Sequence, residues 1–364
     1  MPAPFIENID VYLVYIIIGI ILLLILILMY KIGEKDILVK NYKKQFDENP
    51  DIINIKNNIN DYNTISDNIE FGKICMLGAY NCCNIKSYNN SQAYVDRVGI
   101  NYSYNTGARC LDFQVYLHNR NLIVASSNTN TEYKYKETIN YLELSDVLDD
   151  IFELINNSSN TFIVLHMRVM SNNSYTYKRI VKMYKNKFEF HRLKETNIVN
   201  YKPPLHQTKF NDLLGKVVLI MKPVDDKYDL IFNMDDNDKM YINALSINYS
   251  GDYQQRIDNI KKLDINHSIN QYVNYDDKFS IIFNNDNESQ QLVNRNLIYI
   301  YIPDVTKVNK AIEFNAEKLS PTNYYNIICL KYQYITNSNN QENFNKITTK
   351  FKLIDKYNTF IQIK

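Results

Sequence analysis

Short apolar runs alternate with amphipathic stretches from Gly72 to the end of the chain, and this alternation constrains the fold more than any other feature. Strands that alternate with helices over about 290 residues favour an α/β fold whose parallel sheet closes as a (β/α)8 TIM-type barrel, for which about 250 residues are typical. An open doubly wound sheet is the alternative, but neither a GxGxxG motif nor a P-loop follows the first strand. The clearest predicted helix is Leu144 to Ile155, where apolar residues recur on one face. The predicted strands are Ile74 to Ala79, Cys110 to Tyr116, Leu122 to Ala125, Phe162 to Val169, Val217 to Met221, Tyr241 to Ile247, Leu297 to Ile302 and Ile327 to Tyr332.

The second predicted strand carries two polar residues on one face. Successive side chains of a strand point to opposite sides, so Asp112 and Gln114 share a face near the end of a strand that is otherwise apolar. One interpretation is structural: the neighbouring backbone satisfies a strand-end carboxylate and amide, as it does for most buried polar groups. The other interpretation is that the two residues belong to a functional site.

An uncharged apolar run, Val11 to Tyr30, precedes the strand-rich region. Its length of about 20 residues is that of a helix spanning the hydrocarbon core of a bilayer, and it lacks the polar face of an ordinary core helix. No Lys or Arg precedes the run and no small-residue cleavage site follows it, which argues against a cleaved signal peptide. We therefore predict a short segment over residues 1–10 and a single-pass transmembrane helix over residues 11–30.

Basic residues follow this run, and the positive-inside tendency therefore places the C-terminal part of the chain on the cytosolic side. They are Lys31, Lys35, Lys40, Lys43 and Lys44. Residues 31–71 are polar and weakly periodic, which predicts a tether between the span and a folded region of residues 72–364.

Composition excludes several classes of function. The formal net charge of +1 gives no reason to expect a nucleic-acid partner. Five irregularly spaced cysteines form neither a disulfide framework nor a CxxC pair for zinc, so free buried thiols are expected, including Cys82 and Cys83 beside Asn81.

Several strings, in order along the chain, resemble the phosphatidylinositol-specific phospholipase C family of PLC-like phosphodiesterases. The strings GARCLDFQVYL and LIVASS are similar to its second and third strands, and NIICLKYQYI with the closing FIQIK is similar to the end of its Y region. The branch found in large DNA viruses is the most similar. The resemblance implies a barrel with an X-like part over residues 72–223, a connecting region over 224–290 and a Y-like part over 291–364. Together with the predicted transmembrane helix, the resemblance to the viral branch makes a virion membrane one expected location.

The resemblance also locates the family's catalytic and metal-binding positions. The two catalytic histidines of the family fall on Tyr80 and Ser126, whose side chains do not titrate near neutrality. The calcium ligands fall on Asn81, Asp112 and Gln114, and a fourth-strand glutamate falls on Met167. Calcium takes six to eight oxygen ligands, several of them carboxylates, so we expect this degenerate set to hold no metal and the protein to use no cofactor.

Four further residues are candidates for a substitute site. His166 and Arg168 alternate with Met167, so either they face the surrounding helices or the register differs by one residue from the alignment with the family. An arginine fork at the carboxyl ends of the strands would suit a phosphate. Lys222 matches a headgroup-binding lysine of the family, and it also fits a strand-end lysine that reaches water. Asn315 alone is kept from the family's headgroup-binding stretch.

Two hypotheses follow for the function. The first is a membrane-anchored protein with a degenerate phosphodiesterase site, serving as a binding or structural component of a membrane or virion. The second is a divergent, metal-independent phosphoric diester hydrolase that acts on a phospholipid or related phosphodiester. Phospholipase C-like activity is uncertain because one positioned histidine contributes about 10²–10⁴-fold to acid–base catalysis and both family positions are replaced. Protein partners are not indicated by the sequence.

Overall fold

The computed structural model describes residues 5–48, 68–85, 94–127, 138–157, 161–193, 205–248, 272–276, 298–301, 326–330, 352–354 and 359–363. Asn315 lies outside these residues. The described helices are α1 (Phe5–Asp47), α2 (Val98–Asn105), α3 (Leu144–Asn156), α4 (Ser174–Phe188), α5 (Phe210–Leu213), α6 (Asp229–Phe232) and α7 (Asp236–Lys239). The described strands are β1 (Ile74–Ala79), β2 (Asn84–Ile85), β3 (Tyr94–Val95), β4 (Cys110–His118), β5 (Asn121–Val124), β6 (Leu142–Glu143), β7 (Ile163–Val169), β8 (Val217–Pro223), β9 (Ala244–Asn248), β10 (Tyr272–Asp276), β11 (Ile298–Tyr301), β12 (Ile327–Leu330), β13 (Lys352–Ile354) and β14 (Thr359–Ile363).

Eight of these strands form a parallel sheet. They pair side by side in the order β1, β4, β7, β8, β9, β10, β11 and β12, and β12 pairs with β1 in turn. Antiparallel strands extend the sheet: β5 and β6 follow β4, and β14 pairs with the first half of β1 and with β13. The fold is therefore a mixed α/β fold built on a parallel sheet, as the alternating pattern predicts.

The two faces of the parallel strands bury different side chains. One face joins residues of several strands, among them Met76, Cys110, Val164, Ile220 and Ile327, in a cluster that contains no residue of α3 or α4. The other face belongs to a larger cluster with the helices, and burial of each large apolar side chain in it stabilises the fold by about 1.5–3 kcal/mol. We call the first of these the inner face of the sheet, where strand residues pack together with Phe71, Leu205, Phe210 and Leu213, and the second its helix-facing side.

Helix α1 contains the apolar run and continues well beyond it. Of the described residues, it is the one helix that is long and apolar enough to cross a membrane, a criterion that an N-terminal signal sequence also meets. Residues 31–47, which we predicted as the start of a polar tether, are instead helical. Leu38, Tyr42 and Phe46 are buried on one stripe of the helix, and this i, i+4, i+8 spacing attaches it to the folded region.

Candidate functional site

The candidate site lies on three neighbouring strands, level with the carboxyl end of β1. Tyr80 and Asn81 directly follow β1, Asp112 lies on β4, and His166 and Arg168 lie on β7. In the parallel pairing of β4 with β7, Asp112 is the register partner of His166, and Gln114 is that of Arg168. Because the carboxyl ends of parallel strands meet at one edge, five residues from separate parts of the sequence come together. We call Tyr80, Asn81, Asp112, His166 and Arg168 the inner polar cluster.

The structure decides which way the residues of β7 face. His166 and Arg168 contact Asp112, whereas Met167 belongs to the helix-facing core together with Phe113. Of the two alternatives left by the sequence, a one-residue difference in register therefore holds. The assignment of the family's fourth-strand glutamate to Met167 is wrong as a matter of geometry, because the inward position at this level belongs to Arg168.

Arg168 is the centre of the inner polar cluster. Its Nε donates a hydrogen bond to Asp112 Oδ1 at 2.9 Å, and its Nη2 donates to Asp112 Oδ2 at 2.7 Å. The same Nη2 donates to Asn81 Oδ1. Two parallel N–H···O bonds of this kind form the strong bidentate pair of guanidinium and carboxylate. The arginine therefore neutralises the Asp112 carboxylate directly.

His166 binds the same carboxylate from a second direction. Its Nδ1 lies 2.7 Å from Asp112 Oδ1, and since a carboxylate only accepts, Nδ1 carries the proton. Burial lowers the pKa of His166, and the positive charges of Arg168 and Lys222 lower it further against the opposing effect of Asp112. The imidazole is therefore neutral at pH 7, with the lone pair on Nε2.

The charge state of Asp112 follows from its neighbours. Burial would raise the pKa of this carboxyl group, but Arg168 and the hydrogen bond from His166 together lower the pKa to about 2. Asp112 is fully buried, so its negative charge depends on these partners rather than on water. The cluster is ionised and internally balanced at neutral pH.

Tyr80 and Asn81 complete the cluster from the end of β1. The guanidinium carbon of Arg168 lies 4.6 Å from the centre of the Tyr80 ring, a cation–π distance. Burial raises the pKa of Tyr80 to about 12, so the phenol stays protonated. Asn81 adopts a positive φ of 44°, a conformation that Asn tolerates better than most residues, and its backbone N–H donates to Asp112 Oδ2 at 3.0 Å.

Gln114 and Ser126 belong to a different group of contacts. The side chain of Gln114 exchanges hydrogen bonds with the backbone of Ser127, at 3.4 Å to the carbonyl and 3.2 Å from the N–H. The Ser126 hydroxyl donates to Asn84 Oδ1 at 2.9 Å. Gln114 thus binds the loop after β5, and Ser126 of that loop binds Asn84 of β2. The structure does not bring them into the inner polar cluster.

Lys222 is the penultimate residue of β8, beside the inner polar cluster. It is the register partner of Arg168 in the parallel pairing of β7 with β8, and its side chain is half-buried. Its positive charge adds to the larger effect of burial in lowering the pKa of His166. Cys82 and Cys83 are buried, as expected for free thiols in a core.

The donor set does not fit calcium. Both carboxylate oxygens of Asp112 and the side-chain oxygen of Asn81 accept hydrogen bonds from Arg168, and the Gln114 amide is engaged by Ser127. A guanidinium therefore occupies the place that a cation bound by Asn81 and Asp112 would need. Within the described ranges, no three His, Cys, Asp or Glu side chains come together as a metal site.

The chain matches no family model, and no curated protein is similar to it in sequence at a significant level. Solved structures do resemble it. PLC21 from L. pealei matches with a TM-score of 0.54 at 10% identity over 74% of this chain and 35% of its own. PLC21 from S. officinalis gives 0.53 at 11% identity over 74% and 34%. A calcium-dependent phosphoinositol-specific phospholipase C from Pseudomonas sp. gives 0.49 at 13% identity over 82% and 96%.

The chain spans about a third of the length of the two PLC21 proteins that it matches. At these identities the similarity concerns the fold alone. This chain shares its α/β fold with the two PLC21 proteins.

Proposed function

We propose that this protein is a membrane-anchored member of the PLC-like phosphodiesterases whose inherited site has become a closed, internally neutralised cluster. In this proposal it serves as a binding or structural component of a membrane and does not turn over phosphodiesters. The observation that carries the proposal is the position of Arg168, whose guanidinium is bound by Asp112 and Asn81 in the interior.

The proposal takes the ring of parallel pairings as a TIM-type barrel. Eight parallel strands that pair in sequence and return to the first one are the arrangement of a (β/α)8 fold, and α2, α3 and α4 connect successive strands of its first half. The phospholipase C neighbours support the same interpretation, since they share the fold. The inner polar cluster then lies at the carboxyl ends of the strands, where barrels of this type carry their sites.

Burial and pairing together argue against catalysis. Asp112 and His166 are 0% exposed and Arg168 is 4% exposed, so a phosphodiester would have to displace protein before reaching them. The fork of Arg168 already binds a carboxylate, and separating this buried pair is costly because each charge would lose its partner. A phosphate must therefore compete with Asp112 for the arginine.

The anchor in this proposal is the apolar part of α1. Its large apolar side chains between Tyr12 and Tyr30 are about half exposed or more, which suits contact with lipid. The lysines that follow support a single pass with the folded region on the cytosolic side. Protease added outside sealed cells should leave the folded region intact, whereas protease added to sealed organelles, whose outer surface faces the cytosol, should digest it. The opposite results would reverse the proposed topology.

A second candidate function has its own supporting observation. The Nδ1–H of His166 binds Asp112, which holds the imidazole in one tautomer with Nε2 as a base, the arrangement that a histidine has in a general-base dyad. Arg168 and Lys222 would supply positive charge for the phosphate. Once exposed to substrate, the inner polar cluster would then act as the active site of a metal-independent phosphodiesterase. Lipid or another phosphodiester would be the substrate.

One experiment separates the two functions. The full chain in detergent micelles is incubated with short-chain phosphatidylinositol and with a chromogenic phosphodiester, each with and without calcium. We expect turnover at the level of a protein-free blank under all four conditions. Turnover that His166→Gln abolishes while His118→Gln leaves intact would establish the phosphodiesterase, because His118 is the last residue of β4 and lies outside the inner polar cluster.

The relation to the viral branch and a location in a virion membrane are further parts of the proposal that rest on the sequence resemblance. Membrane fractionation of infected cells, followed by detection of the protein in purified particles, would test them.

A further inference from the structure

Helix α1 joins the apolar segment to the folded region without a break, and its first contacts come soon after the apolar run. Four residues beyond Tyr30, Glu34 Oε2 accepts a hydrogen bond from the Tyr94 hydroxyl at 3.1 Å. Lys35 Nζ lies 3.0 Å from Asp96 Oδ2, and both side chains are partly buried. The membrane-proximal end of the contact is thus the strand β3 and the residue that follows it.

The contacts continue along the helix to its C-terminal end. The Tyr102 hydroxyl of α2 donates to Asp47 Oδ2 at 3.0 Å. The Tyr102 ring packs against Phe46 at 4.9 Å and edge-on against Tyr42 at 5.9 Å between ring centres. Between these two ends Leu38, Tyr42 and Phe46 are buried. Residues 34–47 therefore contact the folded region over more than three helical turns. Contacts spread over this length prevent the folded region from rotating relative to α1.

The order of these contacts gives the direction of α1 relative to the parallel strands. Strand β3 pairs with β2, which directly follows the carboxyl end of β1, and the backbone N–H of Cys82 in that connection donates to the Asp112 carbonyl at 3.1 Å. Helix α2 then runs back to the start of β4, where Arg109 Nη1 donates to the Tyr104 carbonyl at 2.9 Å. Helix α1 contacts β3 first and α2 last, so it runs from the carboxyl ends of the strands towards their amino ends.

We propose that α1 orients the folded region, so that the carboxyl ends of the parallel strands face the bilayer. This is the same bilayer that holds the N-terminal half of α1. The partner of this end of the fold is then the lipid surface itself. At 1.5 Å per residue, the contact of Glu34 with Tyr94 lies only about 6 Å along the helix from Tyr30, so the strand ends are held close to the headgroups. The proposal rests on the membrane anchoring of α1 proposed above.

A docked helix and a flexible tether have different consequences. A tether would let the folded region take every orientation, with the inner polar cluster facing away from the membrane as often as towards it. A docked helix fixes one orientation and one height. The end of the fold that carries the inner polar cluster therefore faces the headgroups of the membrane that holds α1, and the opposite end faces the aqueous phase.

Two variants, each with one added cysteine at opposite ends of β7, test this orientation. Ser174→Cys lies at the start of α4, after the carboxyl end of β7, and Asn157→Cys lies after α3, before its amino end; both residues are exposed. The ends of a seven-residue strand are about 20 Å apart. The five native cysteines are buried, so a maleimide dye should react with the introduced thiol.

The full chain is reconstituted in phosphatidylcholine vesicles that contain a headgroup-linked quencher in the leaflet facing the folded region. We expect the dye at Ser174→Cys to be quenched severalfold more than the dye at Asn157→Cys. Tyr42→Ala removes a buried ring from the docked part of α1 and should bring the two values together. Ile37→Ala is the matched control, because Ile37 lies in the same part of the helix and is 57% exposed, and it should preserve the difference.

Extraction with alkaline carbonate keeps this inference distinct from the anchoring on which it rests. Release of the protein into the soluble fraction would overturn the anchor itself. A protein that stays with the vesicles but shows equal or reversed quenching at the two positions would overturn the orientation alone. Retention of the difference in Tyr42→Ala would overturn docking as its cause.

Discussion

The two ends of the parallel strands each hold a buried arginine that stacks on a tyrosine, but the two arginines bind different kinds of partner. At the amino end of β4, Arg109 Nη1 donates to the backbone carbonyls of Tyr104 and Ala108 at 2.9 and 2.8 Å, and its guanidinium carbon lies 4.2 Å from the centre of the Tyr104 ring. At the carboxyl end of β7, Arg168 binds the Asp112 carboxylate and the Asn81 amide.

The partners of Arg109 are backbone atoms, which indicates a structural role, whereas the partners of Arg168 are side chains that substitution or protonation can alter. Backbone carbonyls do not titrate and cannot be substituted, so Arg109 fixes the connection from α2 to β4 under all conditions. Asp112 and Asn81 are side chains, and the positions at which they lie are those where the resemblance expects metal ligands. In the proposed barrel, the amino end of the strands would serve stability and the carboxyl end would carry the residues that differ between related functions.

Asp112→Ala is the change with the largest expected effect on this comparison. It leaves the Arg168 charge buried without its carboxylate and removes the acceptor of His166, so the free energy of unfolding should fall by about 3–5 kcal/mol. Chemical unfolding of the full chain in detergent measures the loss. Asp149→Ala is the control, because Asp149 pairs with Lys187 where both side chains are partly exposed, and such pairs contribute about 0–1 kcal/mol. Equal losses in the two variants would remove the distinction between the inner polar cluster and a surface ion pair.

A double replacement sharpens the comparison. Arg168→Met alone leaves the Asp112 carboxylate buried without its main counter-charge and should also cost about 3–5 kcal/mol. Adding Asp112→Asn removes that charge and keeps an acceptor for His166 Nδ1, so at least half of the stability should return. A double-mutant cycle from unfolding curves gives the coupling energy. Additive losses would mean that the two residues do not act as a pair.

Arg109→Met should have a smaller effect. The variant removes a donor from the carbonyls of Tyr104 and Ala108, and leaving buried acceptors unsatisfied costs about 1–3 kcal/mol. Because backbone carbonyls do not titrate, the loss should be the same at pH 7 and pH 5. A loss that changes between these two pH values would contradict the structural role assigned to the amino end.

The smallest expected effect is the change in the free energy of unfolding with pH. The pKa of His166 is lowered in the folded state, so below about pH 6.5 the unfolded chain takes up the proton first and stability falls. Between pH 7 and pH 5 this single group should cost up to about 2 kcal/mol. The contribution of Asp112, whose pKa is lowered to about 2, persists above about pH 4 and is lost only as the pH falls towards 2.

His166→Gln should flatten the pH profile between pH 7 and pH 5, while His118→Gln should preserve it. Unfolding curves at several pH values measure both slopes. An unchanged slope in His166→Gln would show that the titrating group lies elsewhere and that the cluster is not the pH-sensitive end of the fold.

Much of the fold could be predicted from hydrophobic periodicity. The prediction for β1 agrees with the structure at both ends, and the helix predicted over Leu144 to Ile155 is α3 with one further residue. Strand β10, with the sequence YVNYD, was not predicted, because alternating polar and aromatic residues carry little of the apolar signal of a buried strand. The docked part of α1 was also missed, although the spacing of Leu38, Tyr42 and Phe46 carries the signal, because the lysines between them make the segment look polar.

The sequence by itself determined that the chain has an apolar helix of membrane-spanning length followed by an α/β fold, since both follow from short-range periodicity. It also identified Asp112, His166 and Arg168 as candidates. Only the tertiary structure decided that these three residues meet. A strand can turn either of its two faces towards the helices, and it turns the more apolar one, which fixes the direction of every side chain on it. The pairing of Arg168 with Asp112, 56 residues apart, follows from that direction and from no local pattern.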